Sequence, residues 1–315
     1  MCGPCITSNE EDGRGQSQAE PQGEEASHEG SDVTDGLRVP LGTRRDPRSV
    51  VTLVAYAGDE AEAWPDGRDA VAESTRMSGL YRDKGVVLRT HKLGEADRIV
   101  SFMTQTNGKV RAVAKGIRRP GSRFGARLEP TSHVAFQCYR GRELDVVTQV
   151  ETIDANRQLR DTYAALTHAI SMLEAVDQVA QERERNAGLY RMLVGALQTM
   201  AAQPSPMVSA AFYWKLLSLE GFHPELDTCA RCGAGDPFVA FDFQEGGVLC
   251  EPCGRHGGRR ISPEALDVVG RVVGGGLNGV LACEHPPALL HEVERLGIAA
   301  LEHQSERRLR SAALL

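Results

Sequence analysis

Two pairs of cysteines carry the most specific chemistry in this sequence of 315 residues. Cys229 and Cys232 are separated by two residues, as are Cys250 and Cys253, and seventeen residues lie between the pairs. This spacing is typical of structural zinc sites, because the short separation lets one tight turn aim both sulfurs at the same ion. Four thiolates complete the tetrahedron around zinc and leave no coordination position for water, which disfavours catalysis by the metal.

The same cysteines leave other interpretations open. They could form two disulfides or a degenerate site without metal, and His256 could replace one cysteine as a ligand. Close pairs favour metal over disulfides in a reducing compartment. Gly233 and Gly254 directly follow the two pairs, and we expect them to relieve the tight turns.

A second candidate site is the segment KGIRRPGSRFGARLEP, Lys115 to Pro130, named here the basic segment. It contains no acid before Glu129, although the whole chain has a formal net charge of -7. Its positive side chains are Lys115, Arg118, Arg119, Arg123 and Arg127. Guanidinium groups bind phosphate oxygens as a fork, so the segment predicts contact with a nucleic-acid backbone. The alternative is a loop that is merely soluble.

Neighbouring residues enlarge this candidate interface. Lys109 and Arg111 lie on the strand that leads into the basic segment, and we expect them to extend the positive patch. Phe124 lies among the positive charges, where its ring could stack on a base or tuck into a barrel core. A small barrel with a positive groove and an occasional aromatic residue is a common way of holding single strands without reading their sequence.

The pattern of residues 77–155 predicts a small closed barrel of this kind. Five short runs rich in β-branched residues follow one another at intervals of ten to twenty residues. Asn107-Gly108 stands between the second and third runs and predicts a hairpin, because both residues tolerate positive φ. Closing five strands into a barrel removes exposed sheet edges.

Residues 156–315 predict a helical domain, with the zinc ribbon inserted at about 226–260. Apolar residues recur at helical spacing in three successive stretches before the first cysteine pair. Ser262-Pro263 predicts a capped helix start after the ribbon, and a last amphipathic helix is expected from about Pro287 to Arg308. Two strands, FVAFDF and GGVLC, are expected between the cysteine pairs. The predicted fold class is therefore α+β with several domains.

Residues 1–76 differ in composition from the rest. They contain 7 Lys and Arg against 16 Asp and Glu, whereas the remainder is slightly basic. Either they are a disordered acidic extension, or translation starts at Met77 and the upstream residues are a mis-assigned start. Because the chain has no long apolar run and no secretion signal, we expect a soluble, cytoplasmic protein without membrane association.

The common enzyme motifs are missing. GGGLNG at residues 274–279 matches a dinucleotide-binding pattern by accident, because no helix could start after it. HEVER at His291 fails the metalloprotease pattern at its last position, and neither a phosphate-binding loop nor a nucleophile elbow is present. A metal-dependent nuclease would require a metal ion with a free coordination position, and four thiolate ligands leave none. We therefore expect no enzymatic activity.

Four stretches in this order resemble the bacterial RecO family of DNA repair proteins: YRDKGVVLRTHKLGEADRIVSFMT, GKVRAVAKGIRRPGSRFGARLEP, KLLSLEGFHPELDTCARCG and VLCEPCG. The resemblance covers about residues 78 to 310. It implies that residues 77–155 form an oligonucleotide-binding (OB) barrel, followed by a helical domain and a zinc ribbon. It also implies binding of single- and double-stranded DNA and annealing of complementary strands. The implied partners are RecR and single-strand-binding protein, with which such proteins load the recombinase.

By position, the five cations of the basic segment match the family's basic segment, and the four cysteines match its zinc ligands. The resulting hypothesis is a non-enzymatic recombination mediator associated with the nucleoid. The rival from another class is a zinc-ribbon adaptor for protein interaction, in which DNA contact is incidental.

Overall fold

The computed structural model describes residues 79–315. The predictions for residues 1–76 and for a start at Met77 fall outside the described residues. Within the described part of the chain, no helix is both long and apolar enough to span a membrane.

The first part of the structure is a closed barrel of five strands. The strands are β1 (Leu80–Leu93), β2 (Asp97–Thr104), β3 (Lys109–Ala114), β4 (His133–Tyr139) and β5 (Asp145–Asp154). Around the barrel they follow the order β1-β2-β3-β5-β4, and β4 pairs with β1 to close it. Within this barrel, only the pairing of β3 with β5 is parallel. This is an OB-like barrel, as predicted.

The barrel interior is filled by alternating apolar side chains, with Phe102 and Phe136 stacked at its centre at 4.6 Å between ring centroids. The outer face of the first two strands is also apolar. Val86, Leu88 and Met103 belong to the same core as the helices, whereas Val87 faces the interior. One face of the barrel is thus covered by the helical domain, and DNA cannot use it.

The hairpin predicted at Asn107-Gly108 joins β2 and β3, but its geometry differs from the expected two-residue turn. The connection spans residues 105–108, and only Gly108 has a positive φ, of 65°. The Asp83 carboxylate accepts hydrogen bonds from the backbone and side chains of Thr106 and Asn107 at 2.7 to 3.3 Å. A longer loop is stable here because a buried acid satisfies its donors.

The helices of the second domain are α1 (Tyr163–Val179), α2 (Ala187–Ala202), α3 (Pro206–Leu219), α4 (Glu251–Gly254), α5 (Pro263–Val273), α6 (Leu277–Leu281) and α7 (Pro287–Ser305). The domain is built around α3. Its residues from Met207 to Leu217 are all buried, which is typical of a helix surrounded by other helices. Ser262 caps α5 as predicted, because its hydroxyl accepts from the amide of Ala265 at 3.2 Å.

The inserted ribbon has three strands rather than the two expected. β6 (Phe238–Asp242) pairs antiparallel with β7 (Gly247–Cys250), and β8 (Arg259–Arg260) adds a short strand on the other side of β6. The ribbon packs against the helices through Phe241, whose ring lies 5.6 Å from that of Trp214 on α3.

Candidate nucleic-acid interface and metal centre

The basic segment is anchored to the barrel at both ends. Two backbone amides fix it to the β1–β2 loop and the start of β2. The amide of Gly116 donates to Asp97 Oδ1 at 2.7 Å, and the amide of Arg118 donates to the carbonyl of Ala96 at 3.0 Å. Further along, Phe124 and Leu128 are buried in the barrel core. The loop therefore has a defined path although it carries little regular structure.

The side chains of the basic segment point to solvent without carboxylate partners. All five cations are exposed. Within residues 79–315, no carboxylate lies within 4.0 Å of any of them. Arg118 donates instead to the carbonyl of Glu95 at 2.8 Å, and Arg127 donates to that of Arg123 at 2.5 Å. Their charges are therefore not neutralised within the described part of the molecule.

The structure corrects the expectation that Phe124 stacks on a base. Its side chain is 1% exposed and packs among the barrel residues, which was the other interpretation left open by the sequence. The Arg123 guanidinium lies over the ring at 5.0 Å from its centroid. Phe124 therefore positions an arginine, and its face is not available to DNA.

The four cysteines form one cluster, as their spacing predicts. Their sulfur atoms all lie within 4.8 Å of one another, and Cys232 Sγ is 3.6 Å from Cys250 Sγ. A tetrahedral ion with zinc–sulfur bonds of 2.3 Å requires sulfurs about 3.8 Å apart. The donor set therefore fits a metal ion of this kind, and among the described residues His256 is not part of it.

The cysteines are not joined as disulfides. All four are free, and the distance of 3.6 Å between Cys232 and Cys250 far exceeds a sulfur–sulfur bond of about 2.05 Å. Burial raises the pKa of Cys229, but backbone hydrogen bonds from Cys250, Cys232 and Arg231 together outweigh it and lower the pKa to about 6. These amide donors favour a thiolate at Cys229, whereas hydrogen bonding with Cys232 and burial raise the pKa of Cys253 to about 12.

The two glycines beside the cysteines have different roles. Gly233 has a φ of 74°, so it relieves a left-handed turn as expected. Gly254 lies in α4, and a Cβ there would be 2.8 Å from a methyl group of Val239. Gly254 is required for close packing of the second cysteine turn on β6 rather than for its backbone conformation.

Known proteins resemble this chain along nearly all of the described residues. The family of recombination protein O N-terminal domains matches residues 77–156, and that of its C-terminal domains matches residues 160–313. The DNA repair protein RecO of Bifidobacterium longum subsp. infantis is 42% identical over 240 residues, covering 75% of this chain and 98% of that protein. The chain belongs to the RecO family.

In this RecO-family chain, Lys109 does not belong to the exposed patch, contrary to the sequence prediction. Its ammonium donates to the carbonyl of Asp177 at 2.7 Å and lies 3.8 Å from a carboxylate oxygen of the same residue. Its side chain is only 13% exposed. The strand pattern could not reveal this, because the contact joins the barrel to the distant C-terminal end of α1.

Arg111 is an intermediate case. Its guanidinium lies 3.5 Å from Glu182 Oε1, and both side chains are substantially exposed, at 40% and 51%. An exposed ion pair contributes little and exchanges readily with solvent ions. Arg111 therefore forms a weak link to the segment after α1 and is a poor candidate for a principal DNA contact.

A cluster of Ser209, His168 and Glu294 superficially resembles the catalytic triad of a hydrolase. Ser209 Oγ and Glu294 Oε1 both lie 2.9 Å from His168 Nδ1, whereas a triad places serine and acid on different ring nitrogens. All three residues are buried and join α1, α3 and α7. The cluster satisfies polar groups within the helical core.

Sequence reasoning missed one charged feature. The stretch RHGGRR, residues 255–260, leads from the second cysteine turn into β8, and two of its arginines have no carboxylate partner among the described residues. The density of arginine was visible in the sequence, but the third ribbon strand that displays it was not expected.

Proposed function

We propose that this chain is a non-enzymatic mediator of DNA repair and homologous recombination. It binds single- and double-stranded DNA, promotes annealing of complementary strands and, with RecR, helps load recombinase onto DNA coated by single-strand-binding protein. In this proposal, residues 77–155 form the DNA-binding barrel and residues 156–315 the helical domain with its ribbon. The protein acts in the cytoplasm at the nucleoid.

The observation that carries this proposal is the basic segment. It offers five exposed cations without carboxylate partners within residues 79–315, on a loop fixed to a rigid barrel. Arginine binds phosphate with two parallel hydrogen bonds, and contacts to phosphates alone carry no sequence information. Both single and double strands therefore fit this interface.

Annealing follows from charge neutralisation. Two complementary strands repel each other through their phosphates, and a protein that cancels part of that charge lowers the barrier to pairing without ATP. RecR and single-strand-binding protein enter the proposal through membership of the RecO family, to which a 42% identical DNA repair protein also belongs.

The metal of this proposal is a structural zinc ion held by Cys229, Cys232, Cys250 and Cys253. When bound, it cross-links the two cysteine turns of the ribbon. A ligand set of four thiolates leaves no open coordination position, which supports a role in folding rather than in catalysis. The burial of Ser209 beside His168 likewise supports a protein without hydrolase activity at that cluster.

One feature favours the rival function of a protein-interaction adaptor. A cleft of about 270 Å³ lies between α3, the ribbon and α7, and Phe222 at its edge is 45% exposed. Exposed aromatic residues beside a cleft are typical of protein-binding sites. The adaptor would bind partners there and leave the basic segment without a function.

Annealing of two labelled complementary oligonucleotides without ATP distinguishes these functions. We expect wild-type protein to accelerate annealing, and the variant R118A/R119A/R123A to lose most of this acceleration. The matched control R191A/R307A/R308A removes the same charge from exposed positions elsewhere and should behave as wild type. If the basic-segment variant annealed as well as wild type, the proposed role of this segment would be wrong.

Zinc content is measured separately by elemental analysis. One zinc ion per chain is expected for wild type, and loss of the ion is expected after Cys232→Ser. A fully folded ribbon without bound metal, judged by limited proteolysis, would contradict the structural role of zinc.

A further inference from the structure

A second group of arginines lies on the ribbon and the neighbouring helix. Arg259 and Arg260 form β8, and Arg259 donates to the carbonyl of Arg295 on α7 at 3.4 Å. In the described part of the chain, none of these three arginines has a carboxylate within 4.0 Å. Arg255 is different, because it pairs with Glu251 at 2.7 Å.

The turn before β8 holds these arginines in place. Gly258 has a φ of 82°, and a Cβ there would lie 3.0 Å from Leu249 and 3.2 Å from the carbonyl of Phe241. The turn is therefore packed closely against β6 and β7. β8 is then fixed by pairing with β6, where Arg260 lies opposite Ala240. The backbone that displays the arginines is rigid, which lowers the entropy lost on binding a ligand.

The composition of this surface indicates its ligand. All its cations are arginines, the residue whose planar fork matches phosphate. A docking site for an acidic peptide usually adds apolar contacts. Among residues 79–315, however, no exposed large apolar side chain belongs to residues 251–260 or to α7. Arginines on elements that themselves expose no large apolar side chain favour a phosphodiester backbone over a peptide.

This surface is separate from the basic segment. The barrel packs against α1 and α2, whereas the ribbon packs against α3 through Phe241 and against α7 through Arg259. The buried helix α3 contacts α1, α2 and α7, so helices intervene between barrel and ribbon. One DNA strand held by the basic segment leaves the ribbon free for another.

We propose that Arg259, Arg260 and Arg295 form a second phosphate-binding surface, which holds a second DNA strand. This inference rests on the proposed function, because it assumes that the basic segment holds the first strand. Two strands on one chain meet at a high effective concentration. Their pairing then no longer depends on a collision in solution.

A bridging experiment tests the second surface. Two oligothymidylates that cannot pair, one with a donor and one with an acceptor dye, are mixed with the full chain, and energy transfer reports that both are held together. Sedimentation of the complex shows whether one chain carries two strands. We expect R259A/R260A/R295A to reduce bridging at least about tenfold while changing first-strand affinity less than about threefold.

Controls separate this inference from the proposed function. R191A/R307A/R308A should bridge as wild type, and R259K/R260K/R295K, which keeps the charge but loses the fork, should bridge less than wild type. Circular dichroism and zinc content should be equal in all variants. If wild type bound no strand at all, the proposed function would fail and the second surface with it.

Two results would overturn the second surface alone. One is unchanged bridging by R259A/R260A/R295A, with wild-type binding of the first strand. The other comes from a labelled oligoglutamate peptide. If wild type bound this peptide and the variant lost it while bridging persisted, the surface would belong to a protein partner.

Discussion

The basic segment and the first residues of β3 have similar side chains but different surroundings. Arg119 and its neighbours face solvent without carboxylates in the described part of the chain, whereas Lys109 is held by Asp177 and has 13% of its side chain exposed. Both regions look alike in the sequence. The difference teaches that the partners of a cation, rather than its presence near a barrel, decide whether it is free to bind phosphate.

The largest effect is expected from the residue that anchors the basic segment. Phe124→Ala should lower the free energy of unfolding by about 3 to 5 kcal/mol, because it empties a site in the barrel core. Phe124→Leu keeps most of the volume and should leave DNA affinity within about twofold of wild type. Urea unfolding and fluorescence anisotropy measure the two quantities. A large loss of affinity in a stable Phe124→Leu variant would restore the stacking role.

The next largest effect, on DNA affinity, is expected from removing cations of the basic segment. R118A/R119A/R123A should weaken single-strand binding about 10- to 100-fold and reduce the slope of log affinity against log salt by about 2, since each lost phosphate contact contributes about 0.7. Binding is measured between 50 and 200 mM salt with R191A/R307A/R308A as the control. An unchanged salt slope would show that the basic segment makes no phosphate contacts in the interface.

A smaller effect on stability is expected from Asp177→Asn. This carboxylate lies 3.0 Å from Arg89 and 3.8 Å from Lys109, so its loss should destabilise the contact between barrel and α1 by about 1 to 2 kcal/mol. DNA affinity should remain unchanged. A marked loss of affinity in the folded variant would mean that the contact of Lys109 with Asp177 contributes to the DNA interface, and the contrast between the regions would fail.

The smallest effect separates two single arginines. Arg119→Ala should reduce the salt slope by about 0.7, whereas Arg111→Ala should change DNA affinity less than about twofold, because its exposed pair with Glu182 contributes little. Equal losses in the two variants would show that the interface extends along β3, as the sequence alone suggests.

Much of the fold could be predicted because its signals are local. Strand runs, the capped start of α5 and the cysteine spacing each depend on a few neighbouring residues. The apolar outer face formed by Val86, Leu88 and Met103, the contact of Lys109 with Asp177 and the burial of Phe124 depend on residues far apart in the chain. No local pattern records such contacts, so these features required the structure.

The most direct measurement is hydrogen exchange of the full chain with and without single-stranded DNA, read by mass spectrometry on peptides from both regions. We expect protection across residues 115–128 and unchanged exchange across residues 105–111. Protection confined to residues 105–111, or none in the barrel at saturating DNA, would contradict the claim that the basic segment holds the strand.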